Sequence, residues 1–338
     1  MESRRISASD AGRRAARGGA ALALLFFLAT FVPPAAAPEP ARRADALLTV
    51  AAVALDPGDA ARTRVGSLRY VRGYRLSSAD PRFGGISAIH VEGGEVLALS
   101  DAGALFRFAL PVGAGETALN IRPLLRGPGS GRRKRDRDTE SLVVHRGRAW
   151  IAYESRNVVW RYRLPRLAFE AAAAPAAMQN WPSNAGSEAM LRLADGRFLV
   201  FAEGPVAEDG TSPAAIFRGD PARASTAAAT LRYRPPAGYR ITDAAALPDG
   251  RLVFLNRRFA LLEGWSAVLT VAETGALRRS GAVLEGRELA ALRAPLAVDN
   301  MEALSVSTEG ATTMLWIASD DNFTPLLQRT LLLGFALE

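Results

Sequence analysis

The 338-residue chain has no cysteine, so disulfides, thiolate metal sites and thiol nucleophiles are excluded together. Histidine is limited to His90 and His145, both inside apolar strand patterns where packed or edge-exposed rings are expected. There is no Gly-x-Ser-x-Gly elbow and no Gly-rich phosphate loop of the Walker type, so neither serine–histidine ester hydrolysis nor P-loop chemistry has its motif. Lysine occurs once, at Lys134, so the net charge of +8 is an arginine charge, scattered through an Ala-rich chain. Such scatter reads as compositional bias rather than a nucleic-acid footprint, and no nucleic-acid partner is expected. The densest basic cluster, residues 132–138, follows Gly127-Pro128-Gly129-Ser130-Gly131 and reads as a solvated loop able to draw an anion toward a nearby mouth.

The N-terminus has a leader pattern. Arg4, Arg5, Arg13, Arg14 and Arg17 precede an apolar run from Gly18 to Val32, followed by Pro33-Pro34 and the small residues Ala35-Ala36-Ala37. This is the order of a secretory signal, and the run is short for a membrane span. Residues 1–37 are therefore expected to be a signal peptide or N-terminal anchor, 38–65 a flexible tether, and 66–338 the folded domain. The product is expected to be periplasmic or secreted, or held at the inner membrane if the leader is not cleaved.

The body of the chain repeats. A short strand, a glycine turn, a second apolar strand and a polar end recur from Ser87, Glu140, Glu188, Asp243 and Glu302, at intervals of 53, 48, 55 and 59 residues. The second strands, such as Phe198-Leu199-Val200-Phe201 and Met314-Leu315-Trp316-Ile317, are apolar on both faces, as in sheets stacked face to face around an axis. The reading is all-β: a β-propeller of four-stranded antiparallel blades with five visible repeats, hence five or six blades. A strand near Tyr70 is expected to close the ring against the last blade. Two segments break the pattern, with residues 171–183 read as a long connection and 285–293 as a short surface helix.

In an antiparallel hairpin the first residue of one strand lies beside the last residue of the next, so the repeated acids should share one rim. Glu140, Glu188, Asp243, Glu302 and Asp320 are the candidate metal ligands. Crowded carboxylates repel unless protons or a cation compensate, and oxygen ligands suit a hard ion such as Ca²⁺. No organic cofactor is expected. Glu154 and Glu203 are candidate general bases, and Arg156, Arg257 and Arg258 are candidates for holding an anionic substrate group. The same acids could instead tie neighbouring blades by accepting backbone N–H bonds.

Asp138-Thr139-Glu140-Ser141-Leu142, Gly186-Ser187-Glu188-Ala189 and Asp299-Asn300-Met301-Glu302-Ala303, with Ser319-Asp320-Asp321-Asn322-Phe323 and Gln328-Arg329-Thr330, resemble the phytase-like family, also described as esterase-like activity of phytase. The resemblance spans roughly Gly66 to Glu338 and implies a bacterial, exported propeller protein. The Arg-His-Gly signature of histidine acid phosphatases is absent, so Ca²⁺-dependent propeller phytases are the nearer chemical analogy. The first functional expectation is a metal-assisted hydrolase of phosphate or carboxylic esters, acting as a monomer on a small anionic ester, with a lactonase-like enzyme of the same metal geometry as a narrower possibility. The alternative is a non-catalytic propeller binding a ligand or protein at the cell envelope.

Overall fold

The computed structural model describes residues 44–130, 133–204 and 206–338. The leader and the first part of the tether lie outside them. Among the described residues, regular structure is strand apart from four short 3-10 turns. No helix there is long and apolar enough to cross a membrane.

From axis to edge, blade 1 consists of Ile86–Glu92, Glu95–Ser100, Ala104–Ala109 and Gly115–Pro123. Blade 2 follows with Thr139–His145, Arg148–Tyr153, Val158–Arg163 and Ala168–Ala173. Blade 3 has Ser187–Arg192, Phe198–Ala202, Ser212–Phe217 and Ala228–Arg234, with Val283–Glu285 added in parallel on its edge. Blade 4 has Arg240–Ala246, Leu252–Ala260, Gly264–Ala272 and Arg287–Leu292. Blade 5 takes Met301–Glu309, Thr312–Ser319 and Thr330–Leu337 from the C-terminus and Leu68–Ser77 from the N-terminal side. The innermost strands touch in sequence and the fifth touches the first, so the ring closes at five blades with no sixth.

Burial explains the two-sided apolarity. Each hydrophobic cluster lies between neighbouring blades: Trp150 meets Phe198 across blades 2 and 3, and Phe201 meets Phe254 across blades 3 and 4. Trp316 of blade 5 is fully buried because Gly334, on the neighbouring strand, leaves room; a Cβ there would sit 2.6 Å from its ring.

Two expectations are corrected. The expected tether is strand over Ala44–Ala52, paired with Leu68–Ser77 on one side and Gly115–Pro123 on the other. It joins the outer edges of blades 5 and 1, whose free backbone groups would otherwise be open. Alternation along it buries Leu48 and Val50 and exposes Leu47. The expected helix at 285–293 is instead mostly the outer strand of blade 4, Arg287–Leu292, with Glu285 ending the edge strand of blade 3, because Leu289, Ala290 and Leu292 complete a sheet edge and a buried core there. Tertiary pairing outweighs helix propensity in so short a segment. Residues 171–183 do contain a connection, with a 3-10 turn at Ala176–Met178, but Ala171–Ala173 still belong to a strand.

If Ala44–Ala52 is integral to the fold, Leu48→Ala should lower the unfolding free energy by about 2–5 kcal/mol. Leu47→Ala, on the exposed side of the same strand, should change it by less than about 0.5 kcal/mol. Urea titrations measure both, and equal small effects would contradict the placement.

Candidate functional site

Every innermost strand has a β-bulge near its start, at Ser87, Glu140, Glu188, Thr242 and Glu302 in blades 1 to 5. A bulge puts one extra residue into one strand and re-aims its side chain. The residue following the second strand forms a matching series in four blades, Asp101, Glu154, Glu203 and Asp320, and in blade 4, whose second strand runs on to Ala260, Arg257 holds the corresponding place. In four blades its N–H donates to the carbonyl before the bulge: Asp101 to Gly85 at 2.9 Å, Glu154 to Asp138 at 2.9 Å, Glu203 to Gly186 at 3.1 Å and Asp320 to Asn300 at 2.9 Å. In blade 4 the position opposite Arg240 is taken by Arg257. One rim therefore carries three glutamates in the first series, and four acids with one arginine in the second.

The positive charge is unevenly placed. The Arg257 guanidinium bonds Glu302, Asn300 at 2.5 Å and Glu203 at 3.3 Å, with its back over Trp265. It bridges blades 3, 4 and 5 and satisfies their acids. On the opposite arc, Asp138, Glu140 and Glu154 bring ligand oxygens within 4.8 Å of one another. Asp138 accepts from Ser155 and Glu154 accepts from the Gly186 N–H at 3.1 Å. Glu140 and Glu188 accept no hydrogen bond among the described residues. The nearby cation is the sole lysine, Lys134, exposed and 3.5 Å from Asp101.

Burial, reinforced by mutual repulsion, raises these carboxyls. Glu154 is pushed up to about 8 by burial and then by Asp138 and Glu203. Asp101 is pushed up to about 6 by burial, with Lys134 pulling the other way. Glu140 lies well above the ordinary range through burial and then Glu188 and Asp138, and Glu188 through burial and then Glu203 and Glu154. Asp320 is raised likewise by burial, Asp101 and Glu302. Burial raises Glu302 too, with Arg257 opposing it. Each of these shifts favours the protonated carboxyl, which relieves the repulsion at the mouth.

The structure brings Glu140, Glu154, Glu188, Glu203, Arg257, Glu302 and Asp320 to this rim. Asp243 is one residue out of register, because the blade 4 bulge falls on Thr242. Its oxygens accept from the Leu304 N–H at 2.7 Å and the Ala244 N–H at 2.8 Å, a tie between blades 4 and 5. Asp321 is tied similarly, taking the Gly85 and Phe323 N–H groups at 3.1 Å. Arg156 pairs with Asp136 at 2.6 Å and Arg258 pairs with Glu263, so neither joins the acids. The loop expected to be wholly solvated has Asp136 and Asp138 buried, with Asp136 holding Ser130 and Arg156.

Asp138 and Lys134 are the site residues that sequence reasoning passed over. Asp138 stands two before Glu140, and in extended chain two residues so spaced point to the same side. The blade 4 offset also had a signal: Glu188, Thr242 and Glu302 each lie eight residues before the turn glycines Gly196, Gly250 and Gly310.

No curated protein matches the sequence. Solved structures that superpose on it include the glutaminyl cyclase of Myxococcus xanthus, with TM-score 0.45, 8% identity, and 80% of this chain and 97% of that chain covered. The major allergen Mala s 1 of Malassezia sympodialis superposes with TM-score 0.42, 12% identity, and 85% and 95% covered. The family described as Phytase-like, esterase-like activity of phytase, matches residues 81–323, from the entry of blade 1 through the turn after Asp320. The chain belongs to the Phytase-like family.

Proposed function

We propose that the acidic mouth is the active site of a metal-assisted hydrolase of phosphate or carboxylic esters, with Ca²⁺ as its ion. The observation that carries this reading is the convergence of Asp138, Glu140 and Glu154 within 4.8 Å, beside an unpartnered Glu188. The donor set fits the ion: hard oxygens, excess negative charge and no softer ligand. Asp138, Glu140 and Glu154 would hold it, with Asp101 lending charge from the neighbouring blade. When bound, Ca²⁺ would supply polarisation of an ester oxygen and acidification of a water.

The chain's own groups divide the remaining work. Glu203, oriented by Arg257 at 3.3 Å and Arg240 at 3.4 Å, would accept a proton from the attacking water. Glu188, whose carboxyl burial and then Glu203 and Glu154 hold well above the ordinary range, would return a proton to the leaving oxygen. Arg257 is committed to Glu203, Glu302 and Asn300, which makes it a positioning residue. The exposed ammonium of Lys134, 3.5 Å from Asp101, would receive an anionic group at the mouth.

The proposal includes export, supported by the arginine-headed apolar run ending near Ala37. The cell-envelope form should begin after that run, or retain it if the segment serves as an anchor. N-terminal sequencing of fractionated cells reads this, and recovery of the full-length chain in the cytosol alone would contradict export.

The raised carboxyl pKa values set a pH dependence. Stability from the bound protons is complete below the ordinary values of 3.8 and 4.5 and is lost as pH rises through about 6 and about 8. In EDTA the melting temperature should fall across that window, and Ca²⁺ should restore it most at the alkaline end. A flat profile unaffected by Ca²⁺ would contradict the reading.

Glu140→Gln should raise the metal-free melting temperature at alkaline pH by relieving repulsion, while abolishing most of the Ca²⁺-induced shift. Glu203→Gln should keep the shift but lower kcat by about 100-fold or more with little change in KM. Turnover is measured on nitrophenyl phosphate, nitrophenyl acetate and phytate. No turnover and no Ca²⁺ shift in the parent protein would leave the non-catalytic binding role.

A further inference from the structure

We infer that the face carrying the mouth docks on an anionic phospholipid bilayer through two leucine-tipped loops. The most exposed leucines of the described chain are Leu262 at 98% and Leu326 at 97%, flanked by Leu261 at 60% and Leu327 at 68%. They lie in the connections between the second and third strands of blades 4 and 5. Those connections leave from the end of the blades that carries Arg257 and Asp320. Both tips therefore stand on the same face as the acids.

The blade 4 tip is a built projection. Its two strands continue to pair at Arg258–Ser266, Phe259–Trp265 and Ala260–Gly264 after the innermost strand has ended opposite Arg257. Three further residue pairs extend the ribbon by about 10 Å. Along it the order is Leu261 and Leu262 at the tip, then the Phe259–Trp265 pair with ring centroids 4.9 Å apart, then Arg258, over the ring of Tyr239 and paired with Glu263 of the tip. Apolar tip and aromatic girdle match the succession of acyl and interfacial layers in a bilayer. A protein groove requires no such layering.

Charge complementarity selects an anionic surface. The 3-10 turn Lys134–Asp136, in the connection on this same face, exposes Arg133, Lys134 and Arg135. Clustered basic side chains near a membrane draw acidic headgroups. Lys134 is engaged with Asp101 at 3.5 Å and Arg257 with Glu203 and Glu302, so Arg133 and Arg135 are the side chains that carry this attraction. This docking needs neither metal nor turnover, so its test is independent of the hydrolase reading.

The absence of cysteine allows a single environment-sensitive fluorophore to be placed on the full-length chain. The sites are Leu262→Cys, Leu326→Cys and, as control, Val112→Cys, which is 94% exposed on a turn at the opposite end of blade 1. With vesicles of phosphatidylcholine and phosphatidylglycerol, the labels at 262 and 326 should brighten several-fold and be quenched by doxyl groups on lipid chains, while that at 112 stays unchanged. Arg133→Gln with Arg135→Gln, or added salt, should weaken the response at both tips. Tip labels that behave like the control, even where the protein pellets with vesicles through its N-terminal segment, would overturn the proposal and assign the leucines to a protein partner. So would insertion that is insensitive to both phosphatidylglycerol and the arginines.

Discussion

Like charges cannot move apart in a closed ring of sheets. Each innermost strand brings one bulged residue to the axis, and each second strand ends with another beside it. Once five blades are closed, the positions of these side chains are fixed by hydrophobic contacts far from them, between faces bearing Trp316, Phe254 and Phe201. Two full charges 4.8 Å apart repel by about 3.5 kcal/mol at an effective dielectric of 20. Three such pairs approach the whole net stability of about 5–15 kcal/mol expected of a domain. The apolar ring can therefore hold Asp138, Glu140 and Glu154 together only while their charge is compensated.

Compensation takes different forms around the rim. On the blade 3 to blade 5 arc it is permanent, because Arg257 occupies a position that is acidic in the other four blades and binds acids on both sides. On the blade 1 to blade 2 arc it is provisional, supplied by retained protons and one exposed lysine. The first arrangement is rigid and structural, whereas the second can be exchanged for a ligand. That asymmetry separates Glu302, which has a fixed partner, from Glu140 and Glu188, which have none, although all three occupy the same bulge. Asp243 and Asp321 represent the opposite limit, with carboxylates consumed by backbone amides of neighbouring strands.

The blades were legible in the sequence because a hairpin is local. The glycine turns, two-sided apolar strands and 48- to 59-residue spacing suffice to predict them. The rim was legible to the same extent, since strand direction alone gathers Glu140, Glu188 and Glu302. What was hidden depends on distant pairing or on register. Ala44–Ala52 has the composition of a linker and becomes a strand only because two blade edges converge on it. The acid of Asp243 masked the bulge at Thr242, whose hydroxyl bonds the Met301 carbonyl at 3.1 Å much as Ser87 bonds that of Thr139 at 2.7 Å. Arg156 and Arg258 looked suitable for an anion by sequence proximity, but each has an acid of its own close by.

Proton exchange is the most direct measure of this account. Calorimetric titration of Ca²⁺ into the protein, repeated in buffers of different ionisation enthalpy, counts the protons released per ion bound. Raised carboxyls at Glu140 and Glu154 require net release near neutral pH, with the share from Glu154 diminishing as pH passes about 8. Binding that releases no protons, or no binding at any pH, would contradict the claim that the ring's geometry stores charge for a cation.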